Sequence, residues 1–332
     1  MSFIKGKNIF FISSELHNYT ATIKKEMEAQ GAYVYHVIYK KKSRYFQLLR
    51  HLPKIKKKLE NRIVRNAVKK SKNTNFDYVF IIRGGMLNPE TILSIRKHSP
   101  TTKFILYLWD SISENNNVLN LLSSMNSIIS FDILDCEKYG FKYLPLFYSK
   151  EFETKNIINS DNQFEYDLSF VGRDHSDRYK ILKQIKLQAE NLNLRIKIYL
   201  VISKLGYYKR KIFDSKNFRD ANKDDFYFNT LTLSEISNIY KQSRCIIDIE
   251  QKVQTGLTMR TFEILAQGKK MVTTNQHIKK LDIYSPELIS IVDRNDVKLD
   301  FNFIKNPLKT KYNIEKYSLS NWVKNIFLIA NA

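Results

Sequence analysis

Ser243–Asn275 reads SRCIIDIEQKVQTGLTMRTFEILAQGKKMVTTN, and this stretch decides the fold. Its apolar run Cys245–Ile249, interrupted only by Asp248, is too short for a helix and predicts a buried parallel strand. A polar loop follows over Glu250–Leu257 and ends in Thr255-Gly256. Met259, Phe262, Ile264, Leu265 and Ala266 then predict a helix over Thr258–Gln267, which Gly268 stops. Met271–Thr274 starts another strand. Strand, loop, helix, strand is the unit of a parallel α/β sheet, and such sheets bind ligands beyond the carboxyl ends of their strands.

The alternation extends outward in both directions. Strands are predicted at Lys7–Ser14, Ala32–Tyr39, Asp77–Ile82, Lys103–Leu108, Ser127–Phe131 and Tyr143–Phe147. Helices fall at His17–Gly31, from Asn88-Pro89-Glu90 onward by cap and proline rules, and at Val118–Met125. Lys150–Tyr166 is polar and aperiodic and reads as a linker. The pattern restarts with strands at Asp167–Val171, Arg195–Val201, Phe226–Asn229 and Leu288–Val292, and helices at Arg178–Asn191, Leu233–Gln242 and Leu319–Ile329. Gly206–Asp225 reads as irregular and basic. The fold class expected is α/β, with two Rossmann-like domains facing across a cleft: residues 1–150, a linker at 151–166, and residues 167–332, the last helix free to pack back on the first domain.

A chain of 332 residues is long enough for two such domains. No stretch approaches the ~20 apolar residues of a membrane span, and MSFIKGKNIFFISSE reads as a first strand, not a secretory signal. Cys136 and Cys245 stand far apart in apolar surroundings and read as reduced core residues. A cytoplasmic setting is the default. Fifty-five Lys and Arg against 33 Asp and Glu give a net charge of +22, which implies an anionic partner. A codon bias toward Lys, Ile, Asn and Tyr accounts for part of it.

The residues at the predicted strand ends suit an anion. Thr258, Arg260 and Thr261 occupy a first helical turn, where free N–H groups and the helix dipole favour negative charge. Gly256 admits close backbone approach, Arg260 adds a fork-shaped donor, and Glu263, one turn on, can accept from two ribose hydroxyls. An ordinary capped helix with a solvated Glu263 explains the same residues. Gly172-Arg173 follows an apolar strand, and Arg173 can reach a phosphate; a plain β–α turn is the alternative. In the first half, Ser13, Ser14, Glu15 and His17 follow strand one, Arg83-Gly84-Gly85 strand three, and Asp110 strand four.

The run Gly256–Asn275, with the pattern G-x-x-x-R-x-F-E-x-L-A-x-G, resembles the donor-site signature of GT-B glycosyltransferases. It is most similar to the CgeB-like, or "glycosyl transferases group 1", branch of bacterial surface-polysaccharide synthesis. The resemblance implies that Gly172, Arg173, Gly256, Thr258, Arg260 and Thr261 hold a nucleotide-sugar diphosphate, and that Glu263 holds its ribose. Many retaining relatives carry a further Glu upstream, where this sequence has Thr255. Asp110 and His17 become the candidate general bases of an inverting transfer. Such enzymes generally need no metal, and no DxD or HxxxH is present. The activity implied is transfer of a sugar to a glycan or lipid-linked acceptor in lipopolysaccharide, O-antigen or capsule synthesis, with no cofactor.

Lys40–Lys72 holds 14 Lys or Arg and one acidic residue, Glu60. Apolar residues interleave with the charge at near-helical spacing, which suits an anionic membrane surface, and Lys54, Lys56, Lys57 and Lys58 are the candidate contacts. That would place the protein peripherally on the inner face of the plasma membrane. A solvated helix of the first domain is the plainer explanation. With no recognised nucleic-acid module, nucleic acid is disfavoured. Two other functions stay open: a non-catalytic basic protein for nucleic acid or anionic lipid, and a sugar-nucleotide epimerase of the same architecture.

Overall fold

The computed structural model describes residues 3–16, 19–40, 52–71, 74–154, 164–252, 255–308 and 312–332. The chain divides into two compact units, Met1–Pro145 with Leu319–Ala332, and Leu146–Ser318.

The first unit carries a six-stranded sheet of β1 (Asn8–Ser14), β2 (Tyr33–Lys40), β3 (Tyr78–Ile82), β4 (Lys103–Leu108), β5 (Ser127–Ser130) and β6 (Lys142–Tyr143), in the order β2-β1-β3-β4-β5-β6. Every pairing is parallel. Strands buried on both faces need apolar residues throughout, which is why FFI, VFII and FILYL lack alternation. Phe10, Ile12, Val79, Ile81, Phe104 and Leu106 pack with Val64, Val68, Ile92 and Ile95 of two helices, Pro53–Lys70 and Pro89–His98. On other strand residues lies the final helix, Leu319–Asn331. Its Trp322 meets Tyr107 edge-on at 4.8 Å between ring centroids, and Phe327 meets Phe80 at 5.8 Å. Aromatic pairs of this kind add about 0.5–1.5 kcal/mol each beyond burial.

The second unit has a parallel five-stranded sheet of β7 (Tyr166–Arg173), β8 (Ile196–Val201), β9 (Ser243–Asp248), β10 (Lys270–Thr273) and β11 (Ile289–Ile291), ordered β11-β10-β9-β7-β8. Leu168, Phe170, Cys245 and Ile247 form its core with Ile181, Leu182 and Ile185 of helix Arg178–Asn191. The winding direction reverses between β1 and β3 in the first sheet and between β7 and β9 in the second. Those reversals open crevices at the strand carboxyl ends.

Several expectations are corrected. Gly206–Asp225 is largely helical, over Lys204–Phe213 and Ser215–Phe218; its outward apolar residues disguise a helix anchored by Tyr207 and Phe218, both buried. Phe226–Asn229 makes no ladder, only a bridge from Tyr227 to Val201. Val118–Met125 is a 3₁₀ segment, Asn116–Ser124. β7 runs through Gly172 and Arg173, because both continue the pairing with β8. Of the expected linker, Glu151–Phe152 closes a 3₁₀ turn and Tyr166 opens β7, all within the second unit; residues 155–163 lie outside the described residues. Both cysteines are free and buried.

Candidate functional site

In the second unit, the ends of β7 and β9 meet on Asp248, whose side chain is 1% exposed. A buried carboxylate must be paired, and three neighbours pair it. Arg260 Nη1 donates to Oδ1 at 2.8 Å, Thr261 Oγ1 to Oδ2 at 2.9 Å, and Thr258 Oγ1 to both oxygens at 3.3 and 3.4 Å. Thr258 is the N-cap of helix Met259–Ala266. Arg260 Nε donates to the Val171 carbonyl at 3.0 Å, and its guanidinium lies 5.0 Å from the Phe170 ring centroid. Burial works against its charge, but Asp248, with Tyr240 and Glu263, outweighs burial and raises its pKa.

Gly172 is fixed by this packing. A Cβ there would stand 2.5 Å from Arg260 Nη2 and 2.9 Å from Phe170 Cζ. The sequence reading expects the glycine to admit a ligand; here it admits Arg260. Likewise Arg260, Thr258 and Thr261 turn their side chains onto Asp248. What the helix start keeps toward an anion is backbone: helical geometry leaves the Met259 and Arg260 N–H groups without intrahelical acceptors. Glu263, expected at a ribose, is 4% exposed, and Gly256 is buried in the preceding loop.

Other cations surround this point. Arg178, 3% exposed, donates to the carbonyls of Arg173 and Ile249 and leaves its Nε without a partner. Burial and the neighbouring Arg260 push its pKa down to about 9, so it stays charged at neutral pH. Arg294, just beyond β11, grips Asp177 with Nε at 3.0 Å and Nη2 at 3.2 Å, and also Glu250 and its carbonyl. His175 is brought down to about 3 by burial, then by Arg178, Arg260 and Arg294, so it is neutral. Arg173 is exposed at the strand end, and no ion pair holds it among the described residues. It lines a cavity of about 540 Å³ with Val201, Gly206, Lys209 and Phe213. Sequence reasoning missed Asp248, His175, Asp177, Arg178 and Arg294. The available signals were the polar interruption Asp248 in an apolar strand and the charged residues in the turns after β7 and β11.

In the first unit, Arg83 and Asp110 follow β3 and β4. Arg83 Nη2 donates to Oδ1 at 2.8 Å and Nε lies 2.7 Å from Oδ2. Arg83 holds a left-handed φ of 75°, a conformation costing a non-glycine residue about 1–2 kcal/mol. His17, the other candidate base, lies outside the described residues, as do residues 41–51 of the basic stretch. Helix Pro53–Lys70 turns Asn61, Val64 and Val68 inward; Lys54 and Lys58 are exposed, Lys56 and Lys57 half-buried. Among the described residues no three His, Cys, Asp or Glu side chains gather as a metal site, and no helix is long and apolar enough to cross a membrane.

Glu60 is the anomaly of this helix. Asn61 beside it is fully engaged, accepting from Asn88 N–H and Thr91 Oγ1 at 2.8 Å and donating to the Lys57 and Met86 carbonyls at 2.8 Å. Glu60 is 0% exposed and neither carboxylate oxygen has a partner. Burial raises its pKa, against the pull of Lys56 and Lys40. A carboxyl with a folded pKa above its unfolded value (about 4.3) favours folding while protonated, and that contribution fades as pH rises through the folded value. Glu60→Gln should therefore stabilise the protein at pH 8, on the order of 1–3 kcal/mol, and the gain should vanish below about pH 4. Parallel pH–stability profiles for parent and variant would refute this.

No family model and no curated protein matches the chain. Solved structures do. The lipopolysaccharide outer core galactosyltransferase WaaB in its apo form is 11% identical, with a TM-score of 0.56 over 97% of this chain and 98% of its own. Anabaena HepE in complex with UDP and glucose is 12% identical, TM-score 0.56, over 98% and 95%. The UDP-GlcNAc 2-epimerase from Methanocaldococcus jannaschii is 11% identical, TM-score 0.51, over 98% and 99%. None of these likenesses singles out the CgeB-like branch. The chain has the two-sheet α/β fold of the GT-B glycosyltransferases, and at such identities the likeness establishes the fold alone.

Proposed function

We propose that this protein is a glycosyltransferase that moves a sugar from a nucleotide-sugar donor to a glycan or lipid-linked acceptor of a bacterial surface polysaccharide. The observation carrying this reading is the cluster at the β7/β9 reversal. Arg178, Arg260 and Arg294 lie around His175 beside a helix start, and Arg173 stands exposed at the end of β7. Their positive field, with the N–H groups of the helix start, stabilises the charge that a departing nucleoside diphosphate develops, and in this reading it lets the enzyme work without a metal. Arg173 and the Met259 and Arg260 N–H groups contact the diphosphate, with Gly172, Gly256, Thr258 and Thr261 shaping that contact and Glu263 near the ribose. Asp110 is the base if configuration inverts; Arg83 occupies one lone pair on each of its oxygens, and the others face outward on a carboxylate 30% exposed. WaaB, a lipopolysaccharide transferase of the same fold, supports the acceptor class. The setting proposed is the cytoplasmic side of the plasma membrane, with Lys54, Lys56, Lys57 and Lys58 toward anionic lipid. Nucleic acid is not a partner in this reading.

A thermal-shift screen of UDP, GDP, CMP and dTDP tests it, because a ligand that binds only the folded state stabilises it by RT ln(1 + [L]/Kd) and so raises the midpoint. One of the four should raise the midpoint without added metal. No shift with any of them would remove the reading. Interconversion of the sugar nucleotide with no acceptor present would make the protein an epimerase, the fold's other activity among the structures above.

A further inference from the structure

Three large apolar side chains stand out as the most exposed among the described residues, and all lie on one helix. In Lys204–Phe213 (KLGYYKRKIF), Leu205 is 85% exposed, Phe213 78% and Ile212 70%; Tyr208 follows at 57%. Positions 205, 208 and 212 share one face, with 213 beside them. The opposite face is anchored: Tyr207 is buried and its hydroxyl donates to the Ala221 carbonyl at 3.1 Å. A helix of a globular protein normally turns its apolar stripe to the core; this one turns it to solvent.

The charges on the helix itself are of one sign. Lys204–Phe213 has four basic residues and no acidic one. Arg210 faces inward to Asp174 and Asp214, and Lys211 Nζ donates to the Arg219 and Ala221 carbonyls at 2.7 and 2.8 Å. Lys204 and Lys209 remain exposed beside the apolar side chains, as does Lys216 in the next turn. Nearby carboxylates have partners: Asp214 takes Arg210, Asp220 lies 3.5 Å from Lys183, and Asp225 accepts from Tyr179.

We propose that Lys204–Phe213 is a membrane-docking helix that lies in the headgroup layer of an anionic lipid bilayer. Leu205, Tyr208, Ile212 and Phe213 enter the acyl boundary, and Lys204 and Lys209 meet lipid phosphates. Charge complementarity selects this occupant. A second copy would bring another chain of charge +22 against the same lysines. Nucleic acid would satisfy the lysines and could stack only on Tyr208 and Phe213, leaving Leu205 and Ile212 wet. Lys209 and Phe213 also line the cavity beside Arg173, so docking brings its mouth to the bilayer surface. The stripe is separate from the basic stretch that the sequence singles out.

The test is sedimentation of the full chain with phosphatidylcholine vesicles, with and without phosphatidylglycerol, at low and high salt. The parent should bind the anionic vesicles, and salt should weaken binding. Leu205→Ser/Ile212→Ser/Phe213→Ser should bind at least ~10-fold more weakly, with an unchanged thermal midpoint, since the three side chains are solvent-exposed. Lys204→Gln/Lys209→Gln should lose roughly fivefold per lysine. Binding of the triple variant as tight as the parent's, or loss only on replacing Lys54, Lys56, Lys57 and Lys58, would overturn the proposal. So would a parent that ignores anionic vesicles but self-associates through the stripe, as read by sedimentation velocity. Vesicle binding is read without any transfer reaction, so failure of the transferase reading leaves this result standing.

Discussion

Arg260→Ala is expected to destabilise the second unit by about 3–5 kcal/mol, the usual penalty for removing one partner of a buried ion pair. Asp248 is 1% exposed and Arg260 14%. With the arginine gone, Asp248 keeps two threonine hydroxyls and only the more distant charge of Arg178, with no cation hydrogen-bonded to it. The Val171 carbonyl loses its Nε donor, and Phe170 loses a guanidinium from its face. Hydrogen–deuterium exchange locates the effect: β7 and β9 amides should exchange faster, while β1, β3 and β4 amides should not. Adding Asp248→Asn should recover much of the loss, because the uncompensated charge is then absent. Nucleotide affinity of that double variant then reports on any contact between Arg260 and the diphosphate. An unchanged midpoint and unchanged β7 exchange in Arg260→Ala would show that the pair does not hold these strands together.

Asp110→Asn is expected to leave nucleotide affinity near that of the parent and to lower the transfer rate ~10²–10⁴-fold, the range of general-base catalysis. Asp110 follows β4 with its carboxylate 30% exposed, whereas Glu60 is wholly buried. Its Arg83 partner is held at a φ of 75°, and strained residues persist where the surroundings fix them, often at functional sites. If the pair serves packing alone, Asp110→Asn should cost no more than ~1 kcal/mol of stability for a pair this exposed, read as a small drop in the thermal midpoint, and turnover should hold. Near-normal turnover would move the reading to a retaining transfer that needs no such base. The readouts are rate, nucleotide affinity and midpoint on the one variant.

The sequence by itself determined the parallel α/β architecture, and it did so through strands such as Val79–Ile82 and Cys245–Ile249. Strands covered on both faces must be apolar throughout, and the helices between them carry their own cap signals, as at Thr258. It also located the strand ends where charge collects: Arg83, Asp110, Arg173 and Thr258–Thr261. Pairing was beyond it. Whether Arg260 faces a ligand or a carboxylate depends on Asp248, a residue that reads as one polar interruption in an apolar strand. Tertiary structure decided that, because the β7/β9 reversal places Val171, Gly172 and Asp248 within reach of one guanidinium. It decided the orphaning of Glu60, which helical spacing puts beside the satisfied Asn61 without showing what stands opposite. It assigned Leu319–Asn331 to the first unit, where Trp322 meets Tyr107. And it turned Leu205, Ile212 and Phe213 outward, since periodicity gives the width of an apolar stripe but not the side of the helix that the rest of the molecule covers.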